Sequence, residues 1–138
     1  MNCTALLLLF LFVLARPTLS LKCNKGSRGT YKKDETTISL RDQLSQTVCS
    51  NKTTHCAHYK LQTKVAAAEE QYPVEIGIFD CAGTTFDVPL FSTGLAVAHV
   101  HFICEEERAG RVEIRMMGDR RVDNAICCTK DLCNVLDI

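Results

Sequence analysis

The sequence predicts a small, mostly β domain that is cross-linked by disulfide bonds. Three observations predict this fold class. Eight cysteines follow an apolar leader, several segments alternate apolar and polar residues with the period of two that is typical of half-buried strands, and turn-forming residues separate those segments.

The chain begins with a segment typical of a secretory signal peptide. Residues 5–15 form an uninterrupted apolar run that is too short to span a membrane, and Thr18 and Ser20 are small residues of the kind that signal peptidase reads. We therefore expect residues 1–20 of the 138 to be removed, which leaves 118 residues, 21–138, as one domain. The alternative is a buried core helix, but nothing amphipathic flanks the run.

Removal of the leader makes the cysteine count even. The chain has nine cysteines, and Cys3 leaves with the leader. In a secreted chain of this size the remaining cysteines indicate four disulfides, and the count alone leaves their pairing open. The eight are Cys23, Cys49, Cys56, Cys81, Cys104, Cys127, Cys128 and Cys133.

The two adjacent cysteines restrict the possible pairings. Cys127 and Cys128 cannot easily bond each other, because a disulfide needs its two Cα atoms at a defined separation. We expect one of them to reach back to an earlier strand and the other to close a small loop with Cys133.

The first half of the domain contains one clear predicted hairpin. Residues 36–40 form a candidate short strand, although residues 39–45 fit one helical turn equally well. Residues 58–65 and 74–80 both alternate apolar and polar side chains, which predicts the two strands of a long hairpin. The Ala- and Glu-rich stretch 66–73 between them leaves a helical turn open at the hairpin tip.

The second half contains a further predicted hairpin. Residues 111–117 and 121–126 flank Gly118-Asp119, a dipeptide suited to the positive φ angles of tight turns. Residues 96–104 predict a more buried strand. Residues 86–94 are apolar but contain Pro89 and Gly94, so we predict a loop there. Its segment 86–91 is either an apolar contact patch or covered core, and we favour core.

Four features of the mature chain carry a resemblance to a known family. Leu21-Lys22-Cys23 opens the mature chain, and six residues separate Cys49 from Cys56. The closing motif is the adjacent pair Cys127-Cys128, four further residues and Cys133, and Asn134 follows directly. In these features the chain resembles the three-finger superfamily of snake toxins, urokinase-receptor-like (LU) proteins and TGF-β receptor ectodomains. Its ending also resembles nematode-type secreted cysteine-rich ET modules.

The resemblance implies a disulfide pairing and an architecture. The implied fold has hairpins projecting from a cross-linked base, with fingers at about 24–48, 57–80 and 105–126, and with Asn134 tying the C-terminus into the base. One feature departs from the family, because 22 residues separate Cys81 from Cys104. Either this insertion enlarges a base loop or the pairing differs. The implied bonds are Cys23–Cys56, Cys49–Cys81, Cys104–Cys127 and Cys128–Cys133.

Charge and composition exclude several classes of function. The mature chain has 15 basic and 16 acidic residues, because only Arg16 leaves with the leader. This balance argues against nucleic acid, whose phosphates require an excess of Lys and Arg. The few residues after Cys133 lack the small-residue site, spacer and apolar tail of a glycolipid anchor, so we expect no membrane anchor.

The sequence shows no catalytic motif, and we expect no enzyme activity and no cofactor. Small secreted phospholipases also carry adjacent cysteines, but this chain has neither the histidine nor the calcium loop that their chemistry needs. His99 and His101 share a strand face and would bind a metal only if a carboxylate such as Glu105 joined them. Half-exposed strand histidines explain this pattern better, so we predict no metal site.

The remaining candidates are a glycosylation site and two finger tips. Asn51-Lys52-Thr53 is an N-glycosylation sequon. The resemblance implies a secreted binding protein that modulates a cell-surface receptor or channel, or alternatively one that inhibits an extracellular enzyme such as a phospholipase or protease. Charge runs such as Glu105–Glu107 are usually solvated faces. The partner-binding candidates are Glu69, Glu70 and Tyr72 at the second tip and Arg120 and Arg121 at the third.

Overall fold

The protein is all β over the residues that the structure, a computed structural model, describes: 19–33, 36–39, 42–67, 70–89, 97–116 and 118–135. The predicted leader lies outside these ranges except for its last two residues. The predicted class, a small disulfide-rich and mostly β domain, is confirmed. The strands are β1 (Lys22–Lys33), β2 (Thr36–Ser39), β3 (Ser45–Val48), β4 (Cys56–Ala67), β5 (Glu70–Cys81), β6 (Thr85–Pro89), β7 (Val97–Glu106), β8 (Ala109–Met116) and β9 (Asp119–Cys128).

The strands form one antiparallel sheet in the order β2-β1-β5-β4-β9-β8-β7-β6, and β3 pairs with the beginning of β1. The long predicted hairpin is confirmed, because β4 and β5 pair continuously from Cys56 opposite Cys81 to Ala67 opposite Glu70. The helical turn left open over 66–73 is not formed at the described residues of that stretch, which are strand. The short strand predicted at 36–40 corresponds to β2.

The predicted third hairpin is also confirmed. Strands β8 and β9 pair from Gly110 opposite Ala125 to Met116 opposite Asp119. Gly118 lies in the turn with a φ of 90°, which a glycine adopts at little cost. Gly110 is required for a different reason, since a Cβ at that position would overlap the sulfur of Cys127.

The loop predicted at 86–94 is wrong over its first residues, because β6 runs from Thr85 to Pro89 and pairs with β7. Pro89 is compatible with this strand because β6 lies at the edge of the sheet, where a missing N–H breaks no ladder. Val88 is 1% exposed, so at this residue the segment is core, as predicted. Phe91 lies outside the described residues.

The insertion between Cys81 and Cys104 therefore adds two strands. The buried strand predicted at 96–104 is confirmed as β7, whereas β6 was not predicted. Strands β6 and β7 extend the third hairpin into a four-stranded region, β6-β7-β8-β9. A tight turn at Glu107 and Arg108, whose φ is 69°, joins β7 to β8 beside the base, where the N–H of Arg108 donates to the carbonyl of Cys127. The acidic run Glu105–Glu107 consequently lies near the base and not at a finger tip.

One hydrophobic core joins the two halves of the sheet. It includes Leu61, Ile76 and Ile78 from β4 and β5, and Phe102 and Ile114 from β7 and β8. Strands β4 and β9, which connect the halves, pair only over residues 56–58 and 126–128. The sheet therefore curls until its inner faces pack together, and each large side chain that becomes fully buried contributes about 1.5–3 kcal/mol.

Four disulfides hold the base of the sheet, in the pairs that the resemblance implied. Four of the eight bonded cysteines form a buried cluster, against which Leu21, Cys128 and Cys133 pack. The four are Cys23, Cys49, Cys56 and Cys81. Asn134 is fully buried beside this cluster. Its side-chain amide donates to the carbonyls of Asn24 and Ala57, and its side-chain oxygen accepts from the N–H of Asn24. The bonds are Cys23–Cys56, Cys49–Cys81, Cys104–Cys127 and Cys128–Cys133.

Candidate binding surface

Of the predicted tip residues, those that the structure describes do not all share one face of the sheet. Glu69 lies outside the described residues. Glu70 occupies the last residue pair of the β4–β5 hairpin, and Tyr72 is a half-buried residue of β5. Arg120 and Arg121 follow the β8–β9 turn, and because consecutive strand residues point to opposite faces, only one of them can lie on the outer face of the sheet.

Arg121 lies on the inner side and takes part in a contact between the two hairpins. Its Nε pairs with the carboxylate of Asp123, which also accepts a hydrogen bond from the hydroxyl of Tyr59 on β4. Burial, together with this hydrogen bond, raises the pKa of Tyr59 to about 12. The bond from Tyr59 and the pair with Arg121 lower the pKa of Asp123. Arg121 therefore supports an internal contact, whatever else it binds.

Arg120 belongs to a row of polar residues that crosses the opposite, outer face. In the register of the sheet, Asp87 lies opposite His99, His99 opposite Arg115, and Arg115 opposite Arg120. The two arginine side chains are 67% and 63% exposed. We call these four residues the outer row.

A single carboxylate connects the two arginines of the outer row. Glu113 lies on the same face of β8, two residues before Arg115, and accepts from Nη2 of Arg115 at 2.7 Å and from Nε of Arg120 at 2.9 Å. These hydrogen bonds lower the pKa of Glu113, so its carboxylate stays charged at neutral pH. The two guanidinium groups are thereby fixed side by side while they remain open to solvent.

Apolar side chains continue the same face toward the base. Val122 and Ile126 alternate along β9 with the inward-facing residues, and they are 53% and 49% exposed. They therefore share the outer face with Arg120. Arginine is enriched at protein interfaces, and the exposed aliphatic residues beside it add apolar surface for a partner. We refer to the outer row with Glu113, Val122 and Ile126 as the outer face.

The histidines of β7 have hydrogen-bond partners and do not form a metal site with Glu105. His99 Nδ1 pairs with Asp87, and His101 Nδ1 lies 3.1 Å from the hydroxyl of Thr85. Glu105 pairs instead with Arg111 at 3.2 Å. Over the described ranges, the one group with metal-ligand spacing is formed by Cys23, Cys49 and Cys81, whose sulfurs are engaged in disulfides and offer no thiolate.

Two buried ionisable residues, His58 and Asp80, were not predicted from the sequence, because polar residues of alternating strands are expected to face solvent. Burial lowers the pKa of His58 and raises the pKa of Asp80. Asp80 accepts from the N–H of Cys81 at 2.7 Å and lies 3.9 Å from Nζ of Lys25. His58 and Asp80 occupy successive residue pairs of the β4–β5 ladder and point to opposite faces, so they do not form a catalytic pair.

The edge strand β6 approaches β1 and leaves a small cleft. The cleft has a volume of about 200 Å³, which is below the range of typical small-molecule sites. Its walls come from β1, from the segment 43–45 and from Asp87 and Val88 of β6. The exposed side chains of the outer face are therefore better suited to contact a partner than this cleft is.

The predicted sequon occupies an accessible position. Asn51 is exposed in the turn before β4, and the hydroxyl of Thr53 lies 3.1 Å from that of Ser50. Because Asn51 is exposed, its position is compatible with a glycan.

These features define a disulfide-bonded, all-β domain with an ordered and exposed outer face. No protein-family model matches the chain, and neither does any curated protein or solved structure. Over the described ranges, no helix is long and apolar enough to cross a membrane. Four disulfides are typical of proteins that fold in the oxidising secretory route, so they fit an extracellular protein.

Proposed function

We propose that this protein is a secreted, non-catalytic binding protein of the three-finger type that modulates a cell-surface receptor or channel. The observation that carries the proposal is the outer face, where exposed arginine and aliphatic side chains stand on strands that are fixed by disulfides at their base. Side chains held on a rigid scaffold lose little conformational freedom on binding, which favours affinity.

Two further features support the three-finger relationship. The four disulfide pairs are those expected for the superfamily. Asn134 binds the backbone of both Asn24 and Ala57, and thus fastens the C-terminus to the base in the expected manner. The added strands β6 and β7 distinguish this chain within that proposed relationship, and they supply half of the outer row.

Secretion is supported by the leader, the disulfides and the exposed sequon. We propose that Asn51 carries an N-linked glycan in the mature protein. The turn at Asn51 precedes β4 at the base of the sheet, whereas Arg115 and Arg120 lie next to the β8–β9 turn. A glycan at Asn51 would therefore start at the disulfide-bonded base of the sheet, away from the β8–β9 turn that carries Arg115 and Arg120.

The proposed function is tested by binding to intact cells. The labelled full chain, produced by secretion, is titrated onto cells of several types, before and after mild protease treatment of the cell surface. We expect saturable binding that protease treatment removes. A variant with alanine at all five predicted tip residues should bind more weakly, because it truncates Tyr72 and Arg120 on both hairpins.

A matched variant with alanine at Lys52 and Lys130, which are exposed charged residues near the base, should bind like the natural chain. Unchanged binding of the five-residue variant would contradict the assignment of the tips. Absence of saturable binding on every cell type, together with inhibition of a secreted phospholipase or protease, would replace the proposal with an enzyme inhibitor.

A further inference from the structure

We infer that the outer face binds an acidic segment of a protein partner, with a partner carboxylate bound by Arg115 and Arg120 and a partner apolar side chain packed on Val122 and Ile126. The inference rests on the proposed function and names the chemistry of the partner at that site. Arg115 on β8 and Arg120 on β9 are two like charges that lie directly opposite each other.

The two arginines are not neutralised by their surroundings. Like charges directly opposite each other in an antiparallel pair destabilise the sheet, so such a pair needs compensation. Over the described ranges, Glu113 is the one carboxylate that pairs with either guanidinium, and it offers a single negative charge to two positive ones. Asp87, the other acidic member of the face, pairs with His99. One positive charge is therefore left for a partner to balance.

The remaining hydrogen-bond donors suit a carboxylate. An arginine has five N–H donors in a planar fork. Arg115 and Arg120 both direct Nε and Nη2 toward Glu113, which leaves Nη1 of each for another acceptor. A partner carboxylate has two oxygens, one for each Nη1, and charge-assisted hydrogen bonds of this kind are roughly twice as strong as neutral ones. Because Glu113 fixes both side chains, the partner would not have to order them.

The apolar neighbours favour a protein over a sulfated glycan. A polyanionic glycan is bound by a broad excess of positive charge, and the outer face includes two carboxylates and two exposed aliphatic residues. Arginine is instead one of the residues that dominate the binding energy of protein interfaces, where it lies beside apolar surface. The face therefore matches a segment in which acidic and apolar side chains occur together.

The experiment uses a random copolymer of glutamate and tyrosine as the probe, and heparin as the competing polyanion. Each is titrated into the isotope-labelled full chain at physiological salt while amide shifts are followed by NMR. We expect saturable shifts with the copolymer that are concentrated in β8 and β9. The double reversal Arg115→Glu with Arg120→Glu should weaken binding by about tenfold or more, as for the loss of a central interface arginine.

The matched control reverses the same number of charges away from β8 and β9, through Lys32→Glu on β1 with Lys64→Glu on β4. Both lysines are exposed, and this variant should retain binding. If the reversal variant does not fold, Arg115→Gln with Arg120→Gln removes the charges without adding new ones and should show the same loss. Equal loss in the control would overturn the inference, because binding would then follow net charge alone.

Binding of heparin without binding of the copolymer would also overturn the inference, since the partner would then be a glycan. These outcomes are separable from failure of the proposed function. A chain that binds cells but not the copolymer refutes only the acidic segment, whereas a chain that binds the copolymer but no cell refutes only the receptor or channel.

Discussion

Single residues show what alternation along a strand can predict and what it cannot. The period of two places Tyr59 on the buried side of β4, and the structure confirms this. It does not predict that the Tyr59 hydroxyl reaches Asp123 on β9, because that contact depends on how two distant strands cross. For the same reason Arg121 was predicted only as a tip residue, although it also pairs with Asp123.

The contact between Tyr59 and Asp123 predicts a loss of stability at alkaline pH. The pKa of Tyr59 is about 12 in the folded chain and about 10 in an unfolded one. A group whose pKa is raised by folding stabilises the protein fully below its unfolded pKa, and that contribution is lost as the pH rises through the folded value. We therefore expect the free energy of unfolding to fall between about pH 10 and pH 12.

The measurement is a set of denaturant unfolding curves over this pH range, together with an ultraviolet titration of the three tyrosines. Tyr59→Phe should lack both the late titration and the part of the alkaline loss that belongs to it. The same alkaline loss in Tyr59→Phe would show that other groups cause it.

At the level of elements, strands were predicted where alternation was uninterrupted, whereas β1, β3 and β6 were not predicted from their own sequences. The β4–β5 and β8–β9 hairpins follow directly from their sequences. Strand β6 was not predicted, because Pro89 argues against a strand unless the strand is known to lie at an edge. Edge position is a property of the whole sheet, so a local pattern cannot supply it.

The packing of β6 predicts that the buried side chain of Val88 contributes to global stability. Val88→Ala removes two methyl groups from the core, and we expect it to lower the free energy of unfolding by about 2 kcal/mol. Asp87→Ala, on the exposed face of the same strand, should change it by less than about 0.5 kcal/mol. Urea unfolding of the two variants gives the comparison. Equally small effects would mean that β6 is not part of the cooperative unit.

At the level of the whole molecule, the cysteine pattern and Asn134 predicted which ends of the chain meet, through the resemblance they carry. The curl of the sheet was not predicted, because alternation identifies the buried face of each hairpin but not what covers it. The outer face was likewise not predicted from the sequence. Arg115 and Arg120 become neighbours only in the register of β8 and β9, and His99 joins them only because the insertion forms strands.

The buried side chain of Asn134 fastens the C-terminus to the base of the sheet by hydrogen bonds, in addition to the small loop closed by Cys128–Cys133. Asn134 joins the C-terminus to β1 and β4 across 110 and 77 residues of sequence, through groups that are buried away from water. Asn134→Ala would leave the N–H of Asn24 and two carbonyls without these partners. Each buried group left unpaired costs about 1–3 kcal/mol, and rearrangement of the chain end recovers part of that.

We therefore expect Asn134→Ala to lower the free energy of unfolding by about 2–4 kcal/mol with all four disulfides intact. Asn124→Ala, which truncates an exposed asparagine on β9, is the matched control and should have an effect below about 0.5 kcal/mol. Urea unfolding under non-reducing conditions measures both. If the two variants were equally stable, the disulfides alone would fasten the base. A large loss in Asn134→Ala would show that the covalent bonds bring the chain ends together, while the hydrogen bonds of Asn134 stabilise the packed arrangement.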